Sequence, residues 1–131
     1  MMRWLFGGRS PHAAFALRKS TLLQAWFDGA ARSGLPRGLT WTSWIEAGEA
    51  VRATDLANGQ LLALAPVVVQ FEPIVGGGLD DVPQAREPRA VVAVFRWTRR
   101  TWVPDGRAIF NLTPVQVLGR SGGRWVIQQP A

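Results

Sequence analysis

At 131 residues, 47% of them hydrophobic, the chain is sized for one domain with its own core, which excludes a disordered tail. It has no cysteine, so disulfides and thiolate metal sites are excluded, and its single histidine, His12, leaves little for zinc or imidazole chemistry. The net charge of +6 is unevenly spread: residues 1–45 carry +5, residues 46–88 carry −5 and residues 89–131 carry +6. An acidic middle can fold against basic flanks, which weakens the case for an anionic partner read from net charge alone. The basic side chains are 14 arginines and one lysine. With abundant Ala, Gly and Pro, that bias reads as a compositional property of the coding sequence.

Residues 1–10 read as a loose N-terminal segment. Arg3-Trp4-Leu5-Phe6 is too short for a secretory core or a membrane span, so the expected location is cytoplasmic. With Arg9 it would suit a membrane surface or a partner, but a frayed end is the preferred reading. Residues 12–33 follow as a helix. Leu22, Trp26 and Ala30, and Leu23, Phe27 and Ala31, recur at intervals of four, and Phe15 and Leu17 extend the stripe. Ser10 is placed to cap the helix, Pro11 to start it and Gly34 to stop it.

A strand meander then spans 39–112. Leu39 to Ile45 is rich in strand formers, and Ala47-Gly48 breaks it before Glu49 to Ala53. Asn58-Gly59 is a strong hairpin signal. From Gln60 to Ile74, Leu61, Val67, Val69 and Phe71 form a buried face, while Gln70 and Glu72 point to water or a pocket. Pro66 lacks an N–H, which argues for an edge or a local irregularity. Residues 75–88 form a loop. Arg89 to Thr98 is a strand with Val91, Ala93, Phe95 and Trp97 on one face, turning at Arg99-Arg100 into a strand over 101–111 that is interrupted near Pro104-Asp105-Gly106. Thr113-Pro114 opens a short helix to Leu118, and 124–128 reads as a last short strand.

The expected fold is a single α+β domain over 1–131. An N-terminal helix packs on a curved antiparallel sheet of four to five strands, with a short C-terminal helix. In outline this resembles a cystatin-type roll or a reduced nuclear-transport-factor-2-like cone, which fixes no function. Segments Pro36 to Trp41 (PRGLTW), Leu61 to Val67 (LLALAPV), Phe71-Glu72 before Gly76-Gly77, Arg89 to Phe95 (RAVVAVF) and Trp102 to Pro114 (WVPDGRAIFNLTP) resemble small uncharacterised bacterial proteins. That resemblance implies one structural unit over 36–118 and no activity.

No catalytic, metal or cofactor motif stands out. Asp105-Gly106-Arg107 could orient a ligand, but a solvated turn is preferred. Glu72, Asp80 and Asp81 lack the spacing of a calcium loop. The alternation Arg96-Trp97-Thr98-Arg99-Arg100-Thr101-Trp102 suits stacking on single-stranded nucleic acid, against a reading in which the tryptophans cap the core. The leading expectation is a non-enzymatic interaction or ligand-binding module without a cofactor. Its binding residues would come from Trp41, Trp44, Glu72, Trp97, Arg99, Arg100, Trp102, Asp105 and Arg107, for a protein or small-molecule partner. The alternatives are a small cone-shaped enzyme or metabolite binder using Asp105, Glu72 or Asp28, and nucleic-acid binding at Arg99-Arg100. A sheet edge is available for self-association.

Overall fold

The computed structural model describes residues 10–128, so the N-terminal aromatic segment lies outside the described residues. Helix α1 runs over Pro11–Arg32. The Ser10 hydroxyl accepts from the Ala13 amide at 3.1 Å, and Pro11 occupies the first turn, where its missing N–H costs nothing. Phe15, Leu22, Leu23, Trp26 and Phe27 form the buried face. Leu17, expected on that stripe, is 68% exposed. At 100° per residue, two positions from Phe15 point away from it.

Six strands make one antiparallel sheet: β1 (Leu39–Glu46), β2 (Val51–Asp55), β3 (Gln60–Pro73), β4 (Arg89–Thr98), β5 (Thr101–Phe110) and β6 (Trp125–Ile127). The order is β5-β4-β3-β2-β6, with β1 also beside β3. The short helix α2 (Pro114–Gly119) lies between β5 and β6, with reciprocal bonds between Thr113 and Gln116 at its start.

The long strand β3 explains the break between β1 and β2. Its first half pairs with β2, Val51 opposite Leu64, and its second half with β1, Trp41 opposite Phe71. The two partners lie end to end, and the seam falls at Pro66. The Pro66 carbonyl accepts from Ala47 at 3.0 Å. In an antiparallel strand a residue's N–H and C=O point to the same side. The missing N–H of Pro66 therefore faces the interrupted edge, where no regular ladder bond is lost. The proline sits in a central strand, and the irregularity belongs to its neighbours.

The alternation of β3 and β4 builds two cores. One face carries Ala63, Ala65, Val67, Val69, Phe71, Val91, Ala93 and Phe95, covered by α1. The opposite, outer face carries Leu62, Leu64, Val92 and Val94, covered by Val117 of α2 and Trp125 of β6. Each large apolar side chain so buried contributes roughly 1.5–3 kcal/mol. The C-terminal segment thus closes the second face of the sheet. In β5 the register shifts so that residues 105–107 lie between the pairs Phe95–Pro104 and Ala93–Ala108. Gly106 takes a positive φ of 89° in this bulge. The bulge directs Asp105 and Arg107 to the outer face, where Asp105 meets Arg96 and Arg107 meets Trp125.

Candidate functional site

The outer face carries a chain of charges, buried at its centre and exposed at its two ends. Asp55 ends β2 and has no solvent exposure. Its Oδ1 accepts from the Ala57 amide at 3.0 Å and from Arg124 Nε at 3.2 Å, and its Oδ2 accepts from Arg96 Nη1 at 3.1 Å. Arg96 also donates to Gln60 Oε1 at 3.0 Å and, through Nε, to Asp105 Oδ1 at 2.8 Å. Arg107 Nε lies 3.0 Å from Asp105 Oδ2, an ion pair outside hydrogen-bond alignment. The path runs Arg124–Asp55–Arg96–Asp105–Arg107 across four strands and the turn before β6. Trp125 lies beneath it, with the Arg96 and Arg107 guanidiniums 5.7 and 5.2 Å from its ring centroids.

Burial alone would raise the Asp55 pKa. The Ala57 amide and the Arg96 and Arg124 guanidiniums outweigh it and bring the carboxyl from 3.8 to about 2. Burial would lower the Arg96 pKa, but hydrogen bonds and charge from Asp105 and Asp55 raise it. Both groups are held ionised at neutral pH.

Beside this chain lies a cavity of about 300 Å³. Its polar rim is Arg107, Arg120 and Arg124, and Ile109, Leu112 and Val117 give it apolar walls. The turn that brings Arg120 and Arg124 here is fixed locally. Ser121 Oγ donates to the Leu118 carbonyl at 2.7 Å and accepts from the Trp125 amide at 3.1 Å. Cationic forks over an apolar floor suit an anionic group attached to an apolar body.

Of the expected site residues, the structure brings Asp105 and Arg107 together here. Trp41 is buried against Phe71, with ring centroids 4.9 Å apart, and lines a second cavity of about 510 Å³ between α1 and β5. Trp102 is buried and donates to the Pro11 carbonyl, and Trp97 packs edge-on against it at 5.4 Å, half-buried. Trp44 is half-buried and donates to Gln24. Arg99 and Arg100 are exposed at the β4–β5 turn. Glu72 is exposed and faces Arg86 at 3.5 Å. A third cavity of about 310 Å³ includes His12, Lys19, Glu49 and Arg52 in its lining. Asp28, Glu72 and Asp105 line none of these three cavities. Among the described residues no group of three or more His, Asp or Glu side chains is placed to hold a metal ion, and no helix is long and apolar enough to cross a membrane.

Asp55, Arg120, Arg124 and Trp125 belong to no candidate site legible in the sequence, and Arg96 belongs only to the Arg/Trp alternation. Arg96 did carry a signal. It shares strand parity with Val92 and Val94, and a charged side chain ending an apolar face needs a buried partner. Comparison with known proteins returns no match among family models, curated proteins or solved structures.

Proposed function

We propose that the protein is a non-enzymatic binding module that takes an anionic ligand in the outer-face cavity. The observation that carries this reading is the rim of Arg107, Arg120 and Arg124 above an apolar floor, with Arg124 held by buried Asp55 and Arg107 paired with Asp105. Anchoring matters because a guanidinium already held in place loses less freedom on binding. The acids nearest the cavity argue against catalysis by proton transfer. Asp55 is enclosed by donors, and Asp105 lies between Arg96 and Arg107.

The test is titration of the full chain with benzoate, followed through the arginine Nε–H resonances. Saturable shifts at Arg107 and Arg124, weakened about tenfold by Arg107→Ala, are expected. Absence of shifts at millimolar benzoate and millimolar phenyl phosphate alike would defeat the reading.

Single-stranded nucleic-acid binding at the β4–β5 turn is the second reading, favoured by the exposure of Arg99 and Arg100. It has less support, because Trp102 is 2% exposed and offers no face for stacking. Affinity for an oligonucleotide that falls steeply with salt and is lost on replacing both arginines is the outcome it requires. The cone-shaped enzyme has the least support, since its three carboxylates line no described cavity.

A further inference from the structure

The charge of the ligand follows from the charge of the cluster, given the anion-binding reading above on which this inference rests. Three arginines pair with two aspartates at the outer face and a fourth lines the cavity beside them: Arg96 from β4, Arg107 and Asp105 from β5, Asp55 from β2, Arg124 from the turn before β6, and Arg120 just after α2. Arg96 is engaged through Nε and Nη1 by the two acids and Gln60. Arg107 and Arg124 each form their ion pair through Nε. Among the described residues their Nη groups have no hydrogen-bond partner, and Arg120 has no ion-pair partner. The cluster therefore holds a surplus of two positive charges, displayed at the cavity by three guanidiniums.

Arg107 and Arg124 are about half exposed, so water screens their surplus charge in part, and an anion of matching charge gains from the part that remains. A monoanion would leave one positive charge without a counterpart. Two negative charges on one head would match the surplus, and three oxygens would match three guanidinium forks better than the two of a carboxylate. A volume of about 300 Å³ is at the small end for ligand cavities. We propose that the cavity takes a small phosphomonoester as its dianion, with the phosphate among Arg107, Arg120 and Arg124 and an apolar body against Ile109, Leu112 and Val117.

The experiment is calorimetry on the full chain with phenyl phosphate, benzoate, inorganic phosphate and a phosphoserine peptide, at pH 7.5 and pH 5. Phosphomonoesters lose their second proton near pH 6. Phenyl phosphate should bind at least about tenfold more tightly than benzoate at the higher pH, and the advantage should shrink at the lower. Arg120→Ala, a change at an exposed side chain, should remove most of that advantage. Equal affinities for phenyl phosphate and benzoate at both pH values would overturn the dianion assignment and leave the anion site standing. Failure of both to bind would overturn the site itself. Inorganic phosphate binding as tightly as phenyl phosphate would remove the apolar body from the assignment. A tighter phosphoserine peptide would overturn the small-molecule assignment in favour of a protein ligand.

Discussion

Asp55 has no contact with solvent, and its ionised form is held by a backbone amide and two arginines. Removing its charge leaves Arg96, which is mostly buried, short of one counter-charge, while half-exposed Arg124 can turn to water. Asp55→Asn should therefore cost about 3 kcal/mol in urea denaturation at pH 7, and a loss below about 1 kcal/mol would mean that the charge is dispensable. The pH dependence has a definite sign. The folded-state pKa is lowered from 3.8 to about 2, so the stabilisation is present above 3.8 and is lost as pH falls towards about 2. In Asp55→Asn the stability curve should be flatter through that window than in the parent protein. Little of this was legible from the residues. Asp55 stands before Leu56-Ala57-Asn58-Gly59 and reads as an ordinary turn residue, and the hydrogen bond it accepts from the Ala57 amide is an ordinary Asx turn. Its burial depends on Arg124, which lies 69 positions away in sequence. The arginine-rich composition had the opposite effect. It hides Arg120 and Arg124 among fourteen arginines, whereas folding gathers Arg96, Arg107, Arg120 and Arg124 at one face.

The elements themselves were far more legible, because their signals are local. The α1 stripe, its Ser10 cap, the Asn58-Gly59 turn and the Thr113 cap all rest on residues within a few positions of one another. What failed to show was which strand lies beside which. Pro66 argues for an edge or a local irregularity; β3 is central, and the irregularity is the gap between two other strands to which the missing donor is matched. The β4–β5 hairpin carries a local conflict of its own. Arg99 and Arg100 have φ of 51° and 65°, a pairing that two-residue turns normally assign to Asn and Gly. A left-handed backbone costs an ordinary side chain roughly 1–2 kcal/mol. Replacing the pair by Asn-Gly should raise stability by about 1–2 kcal/mol in thermal or urea unfolding. No gain would mean that the arginines recover that energy through contacts of their own.

At the scale of the molecule, one sheet separates two apolar clusters that share β3 and β4. Neither cluster can lose its sheet without exposing the other. The sequence pattern pointed to the first cluster, since α1 has a long periodic stripe. It left the second open, since α2 and β6 are both too short to show a periodic stripe. Closing that second face also brings the two described ends together. His12 on the first turn of α1 meets Gln128 just after β6, with 2.7 Å between Nε2 and Oε1. The order in which the elements are joined is then separable from the shape they make. A short linker from Gln128 to Ser10 would span a gap that the fold already closes, and Val75, 92% exposed in the loop after β3, offers a place to open the chain. Such a circular permutant should give the far-ultraviolet dichroism of the parent and the parent's response, whatever its size, to benzoate and phenyl phosphate. A permutant that stays unfolded would show that the covalent link between β3 and β4 through residues 74–88 is itself needed to bring the central strands into register.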